Sequence, residues 1–163
     1  MRLDLKKNYS SREVAAITGL TARQLQWWDA RRLVKPSVPS HRTEAGGFTE
    51  RRYSPVDLFE LVALADLRRR GLSVQKIRLL LDTLRRRFGI RLFDAIGGGG
   101  VIRLLTDGCD IYARTADGRF FNLLRAPSQP LLVLGEEDTF KELTLRMRSR
   151  PRRKPAPRRA RAT

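Results

Sequence analysis

The sequence predicts an α+β protein: four short helices with a hairpin between the second and third, then a small antiparallel sheet and a last helix. Three observations point there. In the first half of the chain, residues able to cap a helix N-terminus recur at Ser10, Thr21, Ser54 and Ser73, each ahead of an apolar pattern of helical period. Past Gly100, the Asp-Gly pairs at 107–108 and 117–118 separate β-branched and aromatic stretches. Charge divides at similar places. Residues 1–91 carry +11, residues 92–145 carry −3 and residues 146–163 carry +9, within 34 Lys and Arg against 17 Asp and Glu.

Taken in order, Ser10 with Glu13 makes a capping box for a helix through SREVAAIT, with Val14, Ala15 and Ile17 facing inward and Gly19 ending it. Thr21 with Gln24 repeats the box and opens a second helix over about 22–31, closed by LVKP before Pro36. Two short helices around a Gly-containing turn form the helix-turn-helix pattern, whose second helix commonly enters the DNA major groove. The stretch SVPSHRTEAGGFTERRYS follows, with strand-like residues near 37–38 and 48–52, and reads as a hairpin or wing. Ser54-Pro55 supplies a cap and a proline at the first helical position, ahead of a buried stripe of Leu58, Leu61, Val62 and Ala65, with Leu64 beside it. Gly71 stops that helix, Ser73 caps the next, and Ile77, Leu80, Leu81 and Leu84 carry the apolar face to about Phe88.

Gly89 opens a different region. Residues 89–100 read as a Gly-rich linker ending in the tetraglycine, and 101–147 as a β-rich segment of three or four strands with a final helix over about 136–147. Glu136, Glu137 and Asp138 suit that helix's N-terminal end. Residues 148–163 carry too little apolar surface to pack and read as a disordered basic tail. With 9–88 as the helix-turn-helix unit, the expected order is a winged helix-turn-helix, a linker, a small sheet serving as dimer or partner surface, and the tail.

A chain of 163 residues, 41% hydrophobic, holds one modest domain or two small ones and not a large enzyme core. Its net charge of +17 calls first for a polyanion such as nucleic acid, and second for an acidic membrane surface. The single Cys109 excludes an intrachain disulfide and a cysteine-built metal cluster. No apolar run approaches a membrane span, and MRLDLKKN lacks a signal-peptide core, so the expected place is a cytoplasm, with no membrane partner. Catalysis finds little support. His41 lies in a Pro/Ser-rich loop, Cys109 reads as a small core side chain at a strand start, Asp107, Asp110 and Asp117 belong to turns, and the tetraglycine lacks the Gly-Lys-Ser/Thr of a phosphate loop. No cofactor and no metal are expected.

In LTARQLQWWDARRLVKPS, Leu25 and Trp28 lie three apart and pack inward, while Arg23, Gln26 and Trp27 point away. Trp27 either presents its indole N–H to a phosphate or caps the core as aromatics usually do. The ordered elements YSSREVAAITGLTARQLQWWDARRLVKPS and RRYSPVDLFELVALADLRRRGLSVQKIRLLLDTL resemble the DNA-binding domain of MerR-type transcriptional regulators, over about residues 9–88. By position, Trp27-Trp28-Asp29 stand where that family has Tyr-Tyr-Glu, and Arg52-Tyr53-Ser54 where it joins wing to third helix. Gln26 replaces an arginine of the pattern, and the wing is longer than usual. The later LLTDGCDIYARTADGRFFNLL is similar to a subgroup with a short β-rich C-terminal segment in place of the long dimerising helix.

The resemblance implies double-stranded DNA as partner, a homodimer on a palindromic site with DNA distortion, RNA polymerase as a candidate partner, and a nucleoid-associated place in a bacterial cytoplasm. The candidate DNA contacts are Arg12, Thr21, Ala22, Arg23, Gln26 and Trp27 on the helices, and Arg42, Arg51, Arg52 and Tyr53 of the wing and its exit. For the wing arginines the alternative is a solvated hairpin. Arg68 to Arg70 and Arg85 to Arg87 suit helix C-termini without any ligand. The tail arginines either add phosphate contacts or only raise solubility. Two rival functions are an architectural accessory protein of phage or plasmid recombination or packaging, and an RNA- or ribosome-associated protein.

Overall fold

Capping decides where the first helices begin. In the computed structural model, which describes residues 5–42, 44–47, 49–97, 100–133, 141, 144 and 145, the Ser10 hydroxyl accepts from Glu13 N–H and the Glu13 carboxylate accepts from Ser10 N–H at 2.9 Å. Helix α1 (Ser11–Thr18) follows, and Gly19 ends it in the left-handed region at φ 73°. Thr21 and Gln24 repeat the reciprocal pair ahead of α2 (Ala22–Ala30). Both caps stand as the sequence predicts. One inward residue does not: Ile17 is 53% exposed, because Val14 and Thr18, one turn apart, form the buried stripe, and the Thr18 hydroxyl is satisfied by the Val14 carbonyl at 2.7 Å.

A two-residue strand β1 (Tyr9–Ser10), not anticipated, joins the wing strands β2 (Val38–Arg42) and β3 (Thr49–Tyr53) in a sheet ordered β1-β3-β2. Tyr9 faces Tyr53 and His41 faces Glu50, with a register shift between Val38 and His41. For Arg42 and Thr49, which pair in this hairpin, the backbone alone is described.

Helix α3 (Pro55–Arg69) buries Leu58, Leu61, Leu64 and Ala65, whereas Val62 is exposed, one step round the helix from Leu61. Helix α4 (Val74–Thr83) buries Ile77 and Leu80 and runs into a π turn, Leu84–Phe88, that Gly89 ends at φ 65°. The segment expected as a linker is not bare chain. Within it stands α5 (Leu92–Ile96), whose Leu92 and Ala95 are buried with the residues of α3 and α4.

The Asp-Gly signals hold: Gly108 and Gly118 both take positive φ, in the turns around β4 (Ile102–Thr106), β5 (Ile111–Thr115), β6 (Phe120–Asn122) and β7 (Ala126–Leu131), a four-stranded antiparallel meander. Its inner face presents Ile102, Ala113 and Phe121 to the core, and Phe121 meets Phe88 edge-on with ring centroids 6.5 Å apart. The Thr83 hydroxyl and Lys76 Nζ donate to the carbonyls of Leu123 and Cys109 at 3.4 and 2.6 Å. Sheet and helices 1–131 therefore form one unit with a continuous core. Cys109 is exposed, contrary to the core reading, because the turn made by Asp107 and Gly108 carries it to the surface. Asp110, read as a turn residue, is buried beside Arg125 at 2.9 Å. The second unit is 132–163, and its described residues 141, 144 and 145 are helical. Most of the expected final helix, and the whole of the tail, lie outside the described residues.

Candidate nucleic-acid interface

Helix α2 is pinned from one side. Leu25 and Trp28 are 2% and 4% exposed, and the helix closes with Arg32 N–H donating to the Asp29 carbonyl and Leu33 N–H to that of Trp28, both at 2.9 Å. That pattern places Arg32 at φ 55°, the one non-glycine residue with positive φ among those described. The opposite side of the helix is open. Arg23 and Gln26 are exposed and Trp27 is 38% exposed, so the side-chain directions read from the sequence agree with the structure. Trp27 is also organised: the Arg31 guanidinium lies 4.9 Å from its ring centroid. Arg12, Thr21 and Ala22 are exposed, and the Thr21 hydroxyl already caps the helix by accepting from Gln24 N–H.

The wing differs more from expectation. Arg51 Nε donates to the Asp29 carboxylate at 2.6 Å, tying β3 to α2. Arg52 donates to Asn8 Oδ1 at 2.9 Å and to Glu50 at 3.0 Å. Each cation thus has a partner within the protein, while the Arg51 and Arg52 side chains remain 35% and 39% exposed. Tyr53, read as a DNA contact, is 1% exposed, because β3, paired with β1 at Tyr9, packs against α1 and α3. Burial pushes its phenol above the ordinary pKa, outweighing the opposing effect of the neighbouring Ser11 side chain. A residue sealed in the core cannot touch a duplex, so Tyr53 leaves the set. The side chain of Arg42 lies outside what is described.

Sequence reasoning missed Arg31, Arg32 and Lys35, all exposed at the C-terminal end of α2. The only signal was their succession in ARRLVKP, which does not say which way the chain turns after the helix. It also missed the carboxylates behind the helix-turn-helix. Asp57 is fully buried and accepts from Ser37 N–H, the Ser37 hydroxyl and Ser54 N–H at 2.9, 2.6 and 2.8 Å, and from Arg91 at 3.2 Å. Burial pushes its pKa up, but the hydrogen bonds from Ser37 and Ser54 outweigh it and hold the carboxyl below the usual range. Among the described residues there is no His, Cys, Asp and Glu grouping suited to a metal, and no helix long and apolar enough to cross a membrane.

The profile of the MerR HTH family regulatory proteins matches residues 9–84. HTH-type transcriptional regulators of Mycobacterium bovis and of two strains of Mycobacterium tuberculosis are each 30% identical over 136 residues, covering 83% of this chain. The chain spans 56% of the length of these relatives. A crystal structure of a MerR-family transcriptional regulator from Bacillus cereus is 26% identical, covering 49% of this chain and 53% of that one, with a TM-score of 0.38. The sequence matches span the two capped helices, the wing and the helix pair described above, so residues 9–84 are a MerR-type helix-turn-helix domain.

Proposed function

We propose that this protein is a sequence-specific DNA-binding regulator of transcription, which places α2 in the major groove of a palindromic site as a homodimer in a bacterial cytoplasm. The observation that carries the reading is the division of α2: Leu25 and Trp28 are anchored in the core while Arg23, Gln26 and Trp27 share the open side. Arg23 and Gln26 are the candidates for base edges, since both side chains can form bidentate pairs there. Thr21, Ala22, Trp27 and Arg12 would hold the backbone, joined by Arg31 and Arg32. Arg51 and Arg52 would set the wing's angle through Asp29 and Glu50, leaving Arg42 to reach the flanking backbone or minor groove. The sheet after α5 is the candidate dimer or RNA polymerase surface, since its residues 102–131, with four Arg against three Asp, are close to neutral beside the +11 of residues 1–91.

Selection of a bound duplex, followed by titration at fixed salt against a random duplex, tests this. The selected site is expected to bind about 10³-fold more tightly. Arg23→Ala with Gln26→Ala should weaken the selected site at least about tenfold, since each base contact is worth about 1–3 kcal/mol, and random duplex much less. Tyr53→Phe should leave both affinities within twofold. Equal affinity for the two duplexes would favour an architectural protein, and tighter binding to RNA an RNA-associated one; either result overturns the proposal.

A further inference from the structure

Below the exit of α2 lies a recess of about 370 Å3, at the lower end of the range for small-molecule sites. Leu33, Val34, Leu81 and Ile90 give it apolar walls, and Lys35 and Arg85 stand at it with no ion pair among the described residues. The carboxylate in its wall is already spent: the Glu60 oxygens accept from Arg91 Nε and Nη2 at 3.1 and 2.7 Å and from Phe93 N–H at 3.1 Å. A cationic ligand would meet a carboxylate already paired with Arg91, which also lines the recess. An anionic head would find two uncovered cations above an apolar floor.

Two local departures from regular structure border the same recess. Arg85 and Gly89 belong to the π turn and its end, and π turns recur where helices serve a site. On the facing side, Leu33 to Lys35 follow Arg32, held at φ 55° where side chains are disfavoured, and such strain persists only where the surroundings enforce it. Leu33 both walls the recess and closes α2 through its bond to the Trp28 carbonyl.

We propose that this recess binds a small anionic amphiphile, an apolar body with one carboxylate or phosphate head, and that its occupancy is coupled through Leu33 to α2. The site stands on its own geometry, whereas the effect on DNA rests on the reading of α2 as the groove helix.

The test uses the full chain and calorimetric titration with octanoate, octyl phosphate, octanol and octylamine, without DNA. One or both anions should bind at least tenfold more tightly than octanol and octylamine, and which of the two leads tells carboxylate from phosphate. Lys35→Gln with Arg85→Gln should weaken that binding at least tenfold, and Ile90→Trp, which fills the recess, should abolish it, with circular dichroism confirming the fold of each variant. Anions that bind no better than octanol, or whose binding survives the Lys35 and Arg85 changes, overturn the site. The anion at saturation should then change affinity for the selected duplex at least fivefold, with the duplex changing anion affinity by the same factor. Unchanged DNA affinity overturns the coupling and leaves the site and the DNA-binding reading each to its own result.

Discussion

Arg32 occupies a backbone position that glycine fills at little cost. At φ 55° its Cβ crowds the chain, and the Schellman-type closure of α2 depends on that conformation. Arg32→Gly is therefore expected to stabilise the protein by about 1 kcal/mol in urea unfolding, since relief of strain outweighs the greater freedom glycine has in the unfolded chain. The same change should weaken DNA binding if the exposed guanidinium contacts phosphate. Stability unchanged or lowered would show that the side chain compensates its own strain. The two tryptophans give the complementary lesson. They are adjacent in sequence, yet a 100° step separates them, so that Trp28 anchors the helix and Trp27, stacked under Arg31, faces outward. That division was legible from periodicity. The fate of Tyr53 was not, because it depends on β3 packing against α1 and α3 and pairing with a strand β1 only two residues long.

Helix α3 depends on more than its apolar stripe. Asp57 caps its first turn through Ser54, holds the chain entering the wing through Ser37, and meets Arg91 of the segment leading to α5. Asp57→Asn keeps the shape but removes the charge that four donors share. It should cost about 3 kcal/mol, the usual scale for breaking a buried ion pair from one side, read as a lower urea midpoint. Because the folded carboxyl lies below its ordinary value of 3.8, the stability it supplies is complete above that pH and is lost as pH falls through the lower folded value. Native protein should thus lose stability as pH falls below 3.8, and the variant should lose less. Glu13, held at about 2 chiefly by the hydrogen bond from Lys6 and then by Ser10 N–H, titrates in the same direction in both proteins and does not affect the comparison.

Across the whole molecule, the helix-turn-helix and the meander share a core, with Phe88 against Phe121 and Leu92 of α5 buried among the residues of α3 and α4. A segment marked by glycines is thus part of the folded unit. The charge of 146–163 stands apart at +9, and those residues lie outside the described structure. Five phosphate contacts from them would add roughly 4 to 5 to the slope of log K against log salt for duplex binding. A chain ending at Leu145 should show that slope shallower by the same amount, with preference for the selected site retained. An unchanged slope would mean that the tail does not engage the duplex.

The caps at Ser10, Thr21, Ser54 and Ser73, the inward and outward sides of α2, and the Asp-Gly turns could all be determined from the sequence, because each depends on residues within four positions of one another. The burial of Tyr53, the pairing of Arg51 with Asp29, the folding of α5 under Arg91 and the recess beside Leu33 depend on residues more than twenty positions apart, or on a turn of chain between them. Tertiary structure decided these because an isolated carboxylate or strand edge is costly until a distant partner satisfies it, and local spacing does not say which partner arrives.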